Sequence, residues 1–310
     1  MEITFRTFSF RSRWDGVVIH GICLVPEHPV AILQMVHGMC EHKERYLLFM
    51  EKMAERGFIV LMHDHRGHGE SLKRKDDLGY CYRSMDKGYV EDIYRVTVSI
   101  RKAYPNLPVI LYGHSMGSLA VRAYLKHHDD AIDGLIISGS PSYNEIVPLG
   151  KLLVRTVEMV KGERFRSKGV QHLVLGGFEK KFEGGKNSWL AANPAVGDAF
   201  EQDPLCAFTY TANGFMTLLN LETVVYRDKG YMVKHSDLPI LFLSGKEDPC
   251  YVSEKKWRQA IDRMRNLGYD HISEIRYEGM RHEIHNEDNR ELVFADIERF
   301  CNRVSACRKN

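Results

Sequence analysis

Ser115 stands in Gly113-His114-Ser115-Met116-Gly117, a serine with a glycine two residues to either side. A serine hydroxyl is a poor nucleophile near neutral pH. It needs an imidazole to take its proton and a carboxylate to hold that imidazole in one tautomer. The flanking glycines permit a turn so sharp that side chains would clash there. In a chain with 25 glycines the pattern alone has little weight, so its surroundings decide. The apolar run 109–112 leads in and a helical pattern over 116–127 leads out, which predicts a serine on a turn between strand and helix at the carboxyl edge of a sheet. The backbone N–H of Met116, at the start of that helix, then becomes a donor for an oxyanion.

A second donor is expected from the loop after an earlier strand. His37-Gly38-Met39 follows the apolar run 31–36 and nominates the Met39 N–H, with an ordinary strand-ending turn as the alternative. The carboxylate and the imidazole should follow later strands, in the order serine, acid, histidine. After the run 238–243 comes Ser244-Gly245-Lys246-Glu247-Asp248-Pro249, where Asp248 is the preferred acid and Glu247 its rival; an Asp-Pro turn without chemistry is the third reading. After the run 272–277 comes Glu278-Gly279-Met280-Arg281-His282-Glu283-Ile284-His285. His282 lies nearer the strand end and is the preferred base. His285, further along, reads as a helix-start or surface residue, and His114, adjacent to the serine, as a structural residue turned away from it.

The elements that must position these groups alternate. Two β-rich runs, 3–10 and 17–25, flank a turn-prone segment and predict an antiparallel hairpin. From residue 30 onward short apolar runs (31–36, 58–62, 109–112, 135–138) alternate with helical patterns near 45–56, 88–103 and 116–127. Such a rhythm implies βαβ units and a mostly parallel central sheet with helices on both faces. It breaks between residues 141 and 236, where β signal is scarce, and resumes with strands at 238–243 and 272–277 and helices near 253–266 and 290–304. The expected organisation is an α/β core of residues 1–140 and 237–310 with a mainly helical insertion over 141–236.

A net charge of +2 in 310 residues is too mild for nucleic acid to be the main partner. The N-terminal segment interleaves Arg6, Arg11 and Arg13 with aromatics and lacks the apolar stretch of a secretory leader, and no run approaches the roughly 18 apolar residues that span a bilayer. Seven cysteines with scattered spacing and no CxxC pair read as thiols, and the cytoplasm is the expected compartment. His63-Asp64-His65 with His68 resembles a metal-binding run, yet Gly67 stands where a dinuclear hydrolase needs an aspartate. Asp64 and Arg66 are expected to tie the loop, with Gly67 and Gly69 allowing its tight path. His282-Glu283-Ile284-His285 does not fit HExxH.

Taken together, HGMCEH at 37–42, DHRGHGES at 64–71, GHSMG, the GKED turn and GMRHEIHNE resemble the monoacylglycerol lipase and lysophospholipase branch of the α/β-hydrolases over nearly the whole chain. The resemblance implies an α/β-hydrolase fold and a triad of Ser115, Asp248 and His282. It further implies oxyanion donors at Met39 and Met116 and an insertion serving as a cap over an acyl pocket. No metal or organic cofactor is implied. The substrate class is a small-molecule ester with an acyl chain, a monoacylglycerol or lysophospholipid; a short-chain carboxylesterase, a proline-type serine aminopeptidase and a catalytically silent scaffold of the same fold are the rivals. Gly38-Met39-Cys40 departs from relatives with smaller residues there, which would reshape the pocket entrance. In the insertion, Leu152, Leu153, Val154, Val157 and Val160 mark an apolar stripe with basic residues beside it, fit either for burial or for transient contact with a membrane surface. The stretch 189–210 carries aromatic and apolar residues able to line an acyl tunnel.

Overall fold

The computed structural model describes residues 2–83 and 85–307. β1 (Ile3–Arg11) and β2 (Val18–Pro26) form the expected hairpin, and β2 runs antiparallel to β4 (Phe58–His63) as well. β3 (Ala31–Val36), β4, β5 (Val109–His114), β6 (Gly134–Ser138), β7 (Ile240–Gly245) and β8 (Ile272–Tyr277) pair in parallel. Among the described residues the sheet has eight strands in the order β1-β2-β4-β3-β5-β6-β7-β8.

Every residue of β3, β4, β5, β6 and β7 is buried, because both faces are covered. Alternation along the strands sorts the side chains. Ile32, Ile59, Leu111 and Leu135 pack on one face with α2 (Met85–Ala103), α3 (Met116–His128) and α8 (Glu254–Asn266). Leu33, Val60, Ile110 and Ile136 pack on the other with α1 (Leu47–Glu55) and α9 (Arg290–Cys307). The helix expected near 45–56 is a 3-10 turn over Lys43–Tyr46 followed by α1, and the helix expected from 88 starts at Met85. Among the described residues no helix is long and apolar enough to cross a membrane.

From β3 the chain leaves through α1 toward β4, and from β5 it leaves through α3 toward β6 on the other side. The loops at the carboxyl ends of β3 and β5 therefore diverge and leave a crevice between them, which is where open α/β sheets bind ligands.

Between β6 and β7 lie α4 (Val147–Lys161), α5 (Lys168–Glu179), α6 (Pro194–Gln202) and α7 (Ala212–Val225). Local chemistry starts three of them: the side chains of Ser167, Asn193 and Thr211 accept hydrogen bonds from the N–H groups of Val170, Ala195 and Gly214. The apolar stripe of α4 divides in two. Val147 and Val154 are buried, with Gly150 against Leu219 of α7, while Leu149, Leu152, Met159 and Val160 are 62–72% exposed. α4 rests on α7 along one face, so residues half a turn round from 147, 150 and 154 are exposed.

The 63–69 run forms the loop after β4. The Asp64 carboxylate accepts from the Lys43 backbone N–H (2.9 Å), Lys43 Nζ (2.8 Å) and the Glu70 N–H (2.9 Å), and Arg66 donates to Asp15, Asp92 and Ser12. Both glycines are needed for close approach: a Cβ on Gly67 would stand 2.5 Å from Tyr80 O, and one on Gly69 would stand 2.2 Å from the Asp64 carboxylate.

Candidate active site

β5 ends at His114, and Ser115 takes φ 53° and ψ −121°, a conformation L-residues seldom adopt, before α3 begins at Met116. Hydrogen bonds hold that turn in place. The Ser115 N–H continues the ladder to Ser138 O of β6 (2.9 Å), and the Ser115 carbonyl accepts from the Ser118 N–H (2.9 Å) and Ser118 Oγ (2.5 Å). The flanking glycines let three segments touch. A Cβ on Gly113 would lie 2.6 Å from Gly117 O, and one on Gly117 would lie 2.4 Å from Val36 O and 2.5 Å from His37 O. α3 therefore starts directly against the end of β3, and a Cβ on Gly38 would come within 3.0 Å of the Ser115 Cβ. Met39, next in that loop, and Met116 both line the cavity that holds Ser115.

The loops after β7 and β8 are joined in the same way. The Lys246 N–H donates to Tyr277 O (2.9 Å) and the Glu247 N–H to Met280 O (3.0 Å), and a Cβ on Gly245 would strike Met280 O at 2.1 Å. This zipper brings the Asp248 carboxylate to His282: Nδ1 lies 3.0 Å from Oδ1 and 3.1 Å from Oδ2. Asp248 also accepts from the Cys250 N–H (2.8 Å) and Ser244 Oγ (3.0 Å). Glu247 stands half-exposed beside Arg281, away from the imidazole. Burial opposes charge on Asp248, yet the facing His282 and hydrogen bonds from it, the Cys250 N–H and the Ser244 hydroxyl hold its carboxyl below the ordinary range. On His282 burial likewise opposes charge, and the Asp248 carboxylate outweighs it, raising the imidazole well above its ordinary value.

His282 is clasped from two sides, by the Trp189 ring at 4.9 Å and the His114 ring at 4.7 Å between centroids. His114 therefore packs on the His282 imidazole. The expectation for His285 is corrected. The residue is neither on the surface nor at a helix start but fully buried, stacked on Tyr46 at 4.6 Å, because the 279–289 turn folds back beneath the sheet edge. Burial keeps both rings neutral: His114 lies well below its ordinary range and His285 falls to about 3.

Behind these loops runs a buried ionic chain that sequence reasoning missed. Glu41 Oε1 accepts from the Gly38 N–H (2.5 Å) and the Tyr46 hydroxyl (2.9 Å), while its Oε2 accepts from Arg45 (2.6 Å). Arg45 also grips Glu283 through two bonds of 2.8 Å. The residues beside Met39 and His282 are thus linked through one guanidinium. The signal was the acidic neighbour in each motif, Glu41 and Glu283, but their common partner lies in a different element.

The cavity measures about 660 Å³ and has Ser115, His282 and Trp189 in its wall. Apolar side chains from the insertion, including Val174, Phe178, Phe200 and Leu218, form much of the rest. Polar residues such as Asn144, Gln171 and Glu222 of α7 line it as well. Burial lifts the Glu222 carboxyl to about 7, against the Asn144 N–H that it accepts at 2.8 Å.

The arrangement has counterparts in known proteins. The chain is 39% identical over 94 residues to a monoglyceride lipase homolog of Monkeypox virus, a stretch of 29% of this chain and 31% of that protein. It is 24% identical over 281 residues to the monoacylglycerol lipase of Mycolicibacterium smegmatis, spanning 90% of this chain and 91% of that one. Among solved structures, a thermostable carboxyl esterase from Bacillus coagulans superposes with a TM-score of 0.88 at 25% identity, covering 97% of this chain and 99% of the esterase. The sequence profile of the serine aminopeptidase S33 family matches residues 27–289, from just before β3 through the histidine loop. With that pattern laid over the same sheet, crevice and loops, the chain belongs to the serine aminopeptidase S33 family and carries the α/β-hydrolase fold.

Proposed function

We propose that this chain hydrolyses carboxylic esters of lipids, monoacylglycerols or lysophospholipids, through an acyl-enzyme on Ser115. The observation that carries the reading is the buried Asp248–His282 pair, 3.0 Å apart, whose imidazole lies with Ser115 in the wall of one cavity. With Nδ1 engaged by Asp248, the lone pair of His282 Nε2 is left to take the Ser115 hydroxyl proton as Oγ attacks the ester carbonyl. The N–H groups of Met39 and Met116 stabilise the tetrahedral oxyanion. The imidazolium then returns the proton to the leaving alcohol. Water, deprotonated by the same imidazole, releases the fatty acid and restores Ser115.

Residues 141–236 act as a cap on a core of 1–140 and 237–310, and their apolar side chains receive the acyl chain. A cavity of about 660 Å³ falls within the range that encloses small ligands. The relatives named as lipases support the lipid ester, and the exposed Leu149, Leu152, Met159 and Val160 of α4 suit transient contact with a lipid surface, flanked by Arg155 and Lys161.

The test is a panel of monoacylglycerols, lysophospholipids, 4-nitrophenyl esters of graded length and aminoacyl anilides, with Ser115→Ala as control. Wild type should turn over long-chain esters and label with a fluorophosphonate. Ser115→Ala should lose labelling and fall by at least about 10³-fold in kcat. Equal turnover by both proteins, or anilides preferred over esters, would overturn the proposal.

A further inference from the structure

A second cluster of donor atoms lies where the insertion meets the loop after β3. Asp203 follows α6, the Leu205 N–H donates to Asp203 Oδ1 (2.8 Å), and the Cys206 N–H donates to Asp203 O (3.0 Å). Asp203-Pro204-Leu205-Cys206 is therefore one closed turn carrying a carboxylate and a thiol. Facing it, His42 places Nε2 at 2.8 Å from Asp203 Oδ2 and Nδ1 at 2.6 Å from Glu44 Oε2. One nitrogen of His42, one oxygen of Asp203 and the sulfur of Cys206 lie within 4.8 Å of one another. His42 and Cys206 are buried, while the Asp203 side chain is 28% exposed and leaves a way in from solvent.

We propose that His42 Nε2, Asp203 and Cys206 Sγ bind one zinc ion, with water as the fourth ligand. Imidazole, thiolate and carboxylate together favour zinc over magnesium or calcium, which take oxygen donors. The thiolate and the carboxylate supply two negative charges against the two positive charges of the ion. Zinc–nitrogen bonds of about 2.0–2.1 Å and zinc–sulfur bonds of about 2.3 Å set tetrahedral donors about 3.3–3.6 Å apart. The His42–Asp203 contact must open slightly and the thiol must swing inward, both by side-chain rotation. Metal uptake displaces the Cys206 thiol proton, and any proton on His42 Nε2, to solvent. Glu44 keeps the Nδ1 proton and fixes the ring, as a carboxylate does behind many zinc-bound imidazoles.

The consequence is mechanical. The next residues already touch the loop beside Met39: the Ala207 N–H donates to Cys40 O (3.2 Å) and Cys40 Sγ to Phe208 O (3.1 Å). Zinc would fasten this wall of the cavity to the core without entering the ester chemistry.

The full chain, freed of metal by dialysis against chelator, is titrated with Zn²⁺ and, separately, Co²⁺. One ion should bind per chain, thermal unfolding should move upward, and the cobalt form should show a near-ultraviolet sulfur-to-cobalt charge-transfer band. Cys206→Ser, with metal-free melting matched to wild type, should lose the band and bind zinc at least about tenfold more weakly; Glu44→Gln should weaken binding by about 10–100-fold. Cys250→Ser, which removes the thiol 4.0 Å from His282 Nε2, should keep both signals. No stoichiometric uptake, or a band that survives Cys206→Ser and vanishes in Cys250→Ser, would overturn the site. None of these outcomes depends on Ser115, so failure here and failure of the esterase proposal are separate results.

Discussion

Asp248 is fully buried and stays charged because the facing His282, the Cys250 N–H and the Ser244 hydroxyl surround it. In the proposed mechanism its work is to present one tautomer of His282. Asp248→Asn retains the shape and loses that control, so kcat should fall by about 10⁴-fold with little change in fold by circular dichroism. The pH profile gives an independent reading. The active form of His282 is neutral, and its ionisation lies above the ordinary histidine value. Wild-type kcat/KM on a neutral ester should therefore rise with pH through that elevated value. In Asp248→Asn, with the counter-charge gone, the limb should move to lower pH. Stability runs the other way: the charged pair stabilises the fold fully below the unfolded histidine value, about 6.5, and that contribution is lost as pH rises through the folded value. A limb that stays in place in Asp248→Asn would mean that another group controls it.

At the scale of elements, the crevice depends on how closely α3 approaches β3. Gly117 lies in the first turn of α3 with two backbone carbonyls beneath it, those of Val36 and His37, and neither can swing aside as a side chain could. Gly117→Ala must push the helix away from the sheet, which should cost about 1–3 kcal/mol by denaturant unfolding. The same shift would carry Ser115 and the Met116 N–H away from the 37–39 loop, so turnover should drop further than stability alone explains. If Gly117→Ala were as stable and active as wild type, the packing described for the turn would be wrong. The βα rhythm and the hairpin follow from local pattern, and the elements agree with it to within a few residues. The division of the α4 stripe does not follow from pattern. Periodicity shows that a helix has an apolar side, but which residues are covered depends on the neighbour, here α7 along one face.

For the whole molecule, the proposed contact with a lipid surface is tested on the exposed face of α4. Leu149→Glu, Leu152→Glu and Met159→Glu together should reduce binding to anionic vesicles and turnover of dispersed monoacylglycerol several-fold. Hydrolysis of a soluble 4-nitrophenyl ester should be nearly unchanged, and stability should shift by no more than about 0.5 kcal/mol per site. Equal losses on both substrates would assign the face to folding rather than to lipid. By itself the sequence determined the class of fold, the turn that carries Ser115, and the two later loops in which an acid and a histidine could stand. Each of these follows a strand, and strands leave a local, periodic trace. Only tertiary structure decided that Asp248 rather than Glu247 reaches His282, that His285 stacks inside the core, that His114 and Trp189 clasp the imidazole, and that Arg45 joins Glu41 to Glu283. These contacts join residues up to 238 positions apart, and nothing in the local sequence of either partner records the distance between them once the sheet has brought their loops to one edge.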